Sequence, residues 1–201
     1  MYKRTTGYLL LTLLVLTGLA GRIQSDTLDG RERKALLTDL RDSRSEFLNS
    51  LSGLSPAQLD FKDPQKKFTI RELIMFTSCM EECLWKEADK SRTVSEPLNE
   101  MLSEEAVKKL HASLSDNLIP IVTCSSTKNQ RMDAALLRFQ TSRSGLIRYV
   151  RTTTDPLRSY FISTSYGQLD AYQLLQLNAV YSRAAAQMTE RIRKHPSFPR
   201  G

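Results

Sequence analysis

Apolar side chains recur at three- and four-residue intervals through most of the chain, the period of an α-helix with one buried face. Leu36, Leu40, Ser43, Phe47 and Leu51 form the first stripe. Asp29 opens it with Glu32 three residues on, a capping box in which side chains satisfy the free backbone N–H groups of the first turn. Gly53 and Ser55-Pro56 stop it. A second stripe of Ile70, Leu73, Phe76, Met80, Cys83 and Leu84 starts behind the pair Thr69 and Glu72 and runs to about Asp89. The third, from Met132 to Arg151, carries Leu136, Leu137, Phe139, Leu146, Ile147 and Val150, and ends at the run from Thr152 to Pro156. The fourth starts at Asp170 with Gln173 in the box position. It continues through Leu174, Leu177, Val180, Tyr181, Ala184, Met188 and Ile192 to about Lys194.

Between these stripes the pattern weakens. A polar stretch, Ser91 to Pro97, follows the second helix; Ser103 to Leu114 reads as a small helix, and Leu118 to Thr127 as an irregular connection. In the short turn after the first helix, Leu59 and Phe61 read as plugs under the bundle. Leu157 to Gly167 is a connecting segment with three aromatic residues, Tyr160, Phe161 and Tyr166. No long segment alternates apolar and polar residues as strands do. Four helices of about twenty residues with one long crossover predict an all-α fold, a four-helix bundle whose crossover between helices 2 and 3 is partly irregular.

The first twenty residues break the pattern. Lys3 and Arg4 precede an uncharged apolar run from Tyr8 to Ala20, with small residues at Gly18 and Ala20. This is the arrangement of a cleavable secretory signal, and the run is too short to span a bilayer comfortably, which takes about 20 apolar residues. Residues 1–20 are thus expected to be removed. The chain would meet a membrane only during export, ending in a periplasmic or extracellular location. The remaining residues suffice for one folded unit. They carry 27 basic against 22 acidic residues, a formal charge of +5. Basic and acidic residues alternate, as in Arg31-Glu32-Arg33-Lys34, and no basic stripe interleaved with aromatic residues is present. A solvated mixed surface is expected, with no nucleic-acid partner.

The chain has three cysteines, Cys79, Cys83 and Cys124, and two histidines, His111 and His195. Cys79 and Cys83 share a helix face at a spacing that rarely reaches disulfide geometry, so both read as small core residues. The odd count leaves at least one thiol unpaired within a monomer. Neither histidine has a second within a turn, and both read as solvated residues.

Several stretches resemble the DinB/YfiT-like family. Residues Gly53-Leu54-Ser55-Pro56-Ala57-Gln58-Leu59-Asp60-Phe61-Lys62 look like its motif ahead of the second helix, and Phe68-Thr69-Ile70-Arg71-Glu72 like the entry to that helix. Trp85, Leu169-Asp170-Ala171-Tyr172-Gln173, Arg183, Gln187 and the tail His195-Pro196-Ser197-Phe198-Pro199 follow in the family's order. The resemblance covers residues 28–199 and implies a DinB-like helical bundle domain. It further implies a divalent metal held by three histidines, one on the second helix and two, four residues apart, on the last, with homodimer formation.

Carried onto this chain, those ligand positions fall on Phe76, Val180 and Ala184; shifting the last helix by one gives Tyr181 and Ala185. None of the three aligned side chains has a donor atom for an ion. No metal, no cofactor and no catalytic residue is therefore expected. The vacated region is either filled core or a small apolar pocket, with Cys79, Met80, Cys83, Tyr160 and Tyr181 as its neighbours and Tyr166 as a further polar handle. These residues point to a non-catalytic binding or interaction protein. The alternative is a metal-dependent hydrolase or thiol transferase with a different ligand set.

Overall fold

The computed structural model of the chain describes residues 27–62, 68–93, 100–124 and 131–200; the expected leader, residues 1–20, lies outside them. The structure is mostly helical. Six helices run α1 (Gly30–Ser50), α2 (Pro56–Leu59), α3 (Ile70–Lys90), α4 (Glu104–Asn117), α5 (Met132–Thr152) and α6 (Ala171–Arg193). Strands β1 (Phe161–Thr164) and β2 (Gly167–Asp170) pair antiparallel just before α6. Among the described residues no helix is long and apolar enough to cross a membrane.

Local chemistry sets the helix starts. Asp29, Ser55, Thr69 and Asp170 each accept a backbone N–H from the first turn, and Glu32, Gln58, Glu72 and Gln173 each return a bond to the cap's own N–H. Three of these four boxes, at α1, α3 and α6, are those expected from the sequence. Helix α5 starts without a side-chain cap, behind Arg131. Its first turn is held by Asp133 near the positive end of the helix dipole.

The four long helices close a ring. Helix α6 packs on α1 and α3, and α5 packs on the same two from the other side, with α4 laid along the outside of α6. The inward faces supply a core containing Leu36, Leu40, Phe47, Leu73, Met80, Leu84, Phe139, Leu146 and Leu177. Each large apolar side chain buried there contributes about 1.5–3 kcal/mol relative to exposure. Phe47 and Phe139 meet edge to face at 5.1 Å across α1 and α5. The expected core position Leu137 points outward and is 65% exposed, while Arg143, not expected in the core, is fully buried on the inner face of α5.

The hairpin takes up part of the stretch expected as a connecting segment, Leu157 to Gly167. Gly167 turns with φ +128°, and a Cβ there would sit 2.8 Å from Leu102 Cδ2. The positive φ favours glycine, and any larger residue would also push the Leu102 side chain aside. Leu102 N–H donates to the Gln168 carbonyl at 3.0 Å, so the chain leading into α4 is fastened to β2. At the opposite terminus, Gln58 Nε2 donates to the Pro199 carbonyl at 3.0 Å, and Phe61 packs between His195 and Phe198 at 5.5 and 5.4 Å.

Asp170 caps α6 from a buried position. Its carboxylate accepts the Gln173 N–H at 2.7 Å, and Arg158 Nη1 lies 3.5 Å away. Arg158 also pairs with Glu32 and lies over the Tyr172 ring. Burial outweighs these partners and pushes the Asp170 carboxyl up to about 6. A carboxyl raised on folding binds its proton more tightly in the folded state. Its contribution is therefore fully present below the ordinary value of 3.8 and is lost as pH rises through about 6. Asp170→Asn keeps a capping oxygen and removes the titration. Urea unfolding of the two proteins should show their stability difference changing by up to about 3 kcal/mol between about pH 4 and pH 7, with wild type losing ground as pH rises. A pH-independent difference would refute the assignment.

Candidate functional site

Of the positions aligned with metal ligands, Phe76 lies on α3, and Val180 and Ala184 lie on α6. Phe76 is half-buried on α3; Val180 is half-buried and Ala184 fully buried on α6. The Phe76 ring meets Tyr181 at 5.8 Å and Phe68 at 5.9 Å. Phe68, Phe76 and Tyr181 thus form an aromatic cluster between the start of α3 and α6.

Tyr181 is almost fully buried, and its hydroxyl donates to the Ile119 carbonyl at 2.5 Å. Burial pushes the phenol well above its ordinary value, so it stays a neutral donor. That bond draws the connection after α4 onto α6 and commits the hydroxyl. Met80 is fully buried one turn along α3 from Phe76. Tyr160 is not part of this cluster. Its carbonyl accepts the Ala171 N–H at 2.9 Å, and Ala171 stands nine residues before Val180, about 13 Å along the helix axis. Tyr166 is exposed.

The cysteines depart from expectation. Cys79 is half-buried and joined to Cys124, 45 residues away, by a disulfide. Cys83 is the free thiol, also half-buried. Neither Cys79 nor Cys83 is the fully buried core residue the sequence implied; both lie at a partly exposed side of α3 against which Cys124 packs. Burial and the Glu82 carboxylate push the Cys83 thiol above its ordinary range, against partial compensation by Lys86 and Arg138. It is accordingly a protonated thiol, not an activated nucleophile.

Both histidines are packed instead of solvated. His111 is half-buried on α4 with Nε2 lacking a hydrogen-bond partner, and burial lowers its pKa. His195 accepts the Ser197 N–H on Nδ1 at 3.2 Å.

The most developed polar constellation is one that hydrophobic patterning overlooks. Glu81 of α3 and Arg143 of α5 form a bidentate pair inside the ring. Nε donates to Oε1 at 2.7 Å and Nη2 to Oε2 at 2.6 Å, with side chains 0% and 1% exposed. Arg143 Nη1 also donates to the Leu40 carbonyl at 2.8 Å and Ser43 Oγ at 3.0 Å. Nη2 reaches the Asn178 carbonyl at 2.9 Å and Ser182 Oγ at 2.8 Å. With its amide nitrogen facing Glu81, Asn178 donates to Oε2 at 3.1 Å. One guanidinium thereby engages all four long helices.

This pair was detectable in principle. Arg143 lies four residues after Phe139 and three before Leu146, and Glu81 four after Thr77 and three before Leu84, all on inward faces. Its donors and acceptors are engaged by protein groups and closed to solvent. The arrangement joins helices and offers no site for a substrate.

A cavity of about 40 Å³, lined by Trp85, Ala88, Arg92, Tyr149, Leu157 and Leu175, lies between the ends of α3 and α5. No family model, curated protein or solved structure matches the chain.

Proposed function

We propose that this is an exported helical-bundle protein of the DinB/YfiT type that has exchanged the metal centre of that type for an apolar contact and acts by binding or docking instead of catalysis. The observation that carries this reading is the set of side chains at the three aligned positions. Phe76, Val180 and Ala184 offer no lone pair to an ion, and the Phe76 ring is already seated on Tyr181. The ring of four long helices, held at its centre by Arg143, is in keeping with a bundle. A disulfide accords with an oxidising compartment.

The test restores what is missing. Phe76→His, Val180→His and Ala184→His together should create a site that takes up one equivalent of zinc or nickel. The wild-type protein with its disulfide intact should retain neither after dialysis, as read by elemental analysis. A correctly folded triple variant that binds no ion would remove the positional argument. Stoichiometric metal retained by the disulfide-intact wild type would instead favour an enzyme.

A further inference from the structure

All three cysteines converge on one spot. Cys79 and Cys83 are one turn apart on α3 and so share a face. The connection after α4, drawn in by the Tyr181–Ile119 bond, brings Cys124 against them. The three Sγ atoms lie within 4.8 Å of one another. Pairing Cys79 with Cys124 uses two of these sulfurs and leaves the third beside them, half-buried and unbonded. A disulfide alone does not need that third sulfur.

Three sulfurs at this separation are a donor set. An ion with metal–sulfur bonds of about 2.3 Å holds its sulfurs roughly 3.8 Å apart in tetrahedral geometry. On reduction the two bonded sulfurs must separate to this spacing, and Cys83 Sγ must approach by at most about an ångström, to surround an ion of that class. The nearby charges balance, with Glu82 and Glu87 against Lys86 and Arg138. No excess of positive charge opposes a divalent cation there.

We propose that reduction of the Cys79–Cys124 bond converts this cluster into a binding site for one thiophilic d10 cation of the zinc class, held by the thiolates of Cys79, Cys83 and Cys124 with a fourth position left to water, and that re-forming the disulfide expels the ion. The chemistry balances with a dithiol as reductant. It gives two electrons and two protons, cleaves the sulfur–sulfur bond to two thiols, and itself becomes a cyclic disulfide. The cation then displaces three protons from three thiols. In the reverse direction a disulfide oxidant accepts two electrons, the Cys79–Cys124 bond forms, the ion leaves, and Cys83 regains its proton. This site involves none of the three positions aligned with the family's histidines.

The test uses the full chain, reduced and desalted without air, and titrated with zinc against a chromophoric chelator. Reduced wild type should bind one equivalent at least about 100-fold more tightly than reduced Cys83→Ser, since even the loss of an outer-shell partner costs about 10–100-fold. Cobalt in place of zinc should show thiolate-to-metal charge-transfer absorption in the wild type that the variant lacks. The disulfide form should bind neither ion. Cys83→Ser leaves the disulfide intact, so oxidised wild type and variant should share one circular dichroism spectrum and melting temperature. If reduction costs helix content, zinc should restore it in the wild type alone. Equal affinity in reduced wild type and Cys83→Ser, binding undiminished in the disulfide form, or helix lost on reduction and not recovered with zinc would each overturn the proposal. An ion at the aligned α3–α6 positions would persist in oxidised protein and in Cys83→Ser, which separates this result from failure of the bundle reading.

Discussion

Arg143→Met should destabilise the protein by about 3–5 kcal/mol, while Glu81→Leu combined with Arg143→Met should recover most of that loss. The asymmetry follows from where the charges sit. Removing Arg143 alone leaves the Glu81 carboxylate inside the ring, where its side chain is 1% exposed. Water cannot replace the lost donors, and a buried carboxylate without its partner must take up a proton or unfold the site. Methionine also leaves the Leu40 carbonyl, Ser43 and Ser182 without the donors they now share. Removing both charges takes away the desolvation cost together with the attraction, so apolar side chains of similar volume come out close to even. Urea unfolding of the three proteins decides the matter. A single variant within about 1 kcal/mol of wild type would mean that the pair is not sequestered from solvent.

The second large effect concerns the disulfide. Cys124→Ser should lower stability by about 3–4 kcal/mol under oxidising conditions, and the difference should vanish when both proteins are reduced. The bond closes a segment spanning 45 positions, from the middle of α3 past α4. Without it the unfolded chain regains the freedom of that loop. Locally the connection from Leu118 to Cys124 is still held by the Tyr181 hydroxyl on Ile119 and by the buried side chains of Leu118 and Ile121. Amides in that connection should therefore lose more hydrogen-exchange protection than those of α1 or α5. An unchanged melting temperature in oxidising buffer would show that the bond is not formed in solution.

Helix identity was legible in the sequence because its determinants are local. Asp29 with Glu32, Thr69 with Glu72 and Asp170 with Gln173 each lie within one turn, and each marks a helix start to within a residue. What escaped depends on distant partners or on very short elements. Strands of four residues, Phe161–Thr164 and Gly167–Asp170, are too brief for alternation to register against the aromatic residues around them. A search for apolar periodicity passes over Arg143 and Glu81 by construction, although both stand at helical spacing with buried neighbours. Leu137 shows the converse error, an apolar side chain on the outer face of α5. The Cys79–Cys124 bond depends on the path of a connection that has no periodic signal. Phe76, Val180 and Ala184 are singled out by resemblance alone, and the contacts of Phe76 with Phe68 and Tyr181 belong to packing between elements.

The fastening of the tail onto the first turn has a consequence for how the two extremities behave. Gln58 grips Pro199 across 141 positions of sequence, and Phe61 takes His195 and Phe198 on either side. The segment after α6 therefore works as a clasp, closing the loop between α1 and α3 from the far end of the chain. Shortening the protein to the last turn of α6 would bare Phe61 to water and release α2 from its only described partner in the tail. Residues 195–199 thus belong to the folded unit.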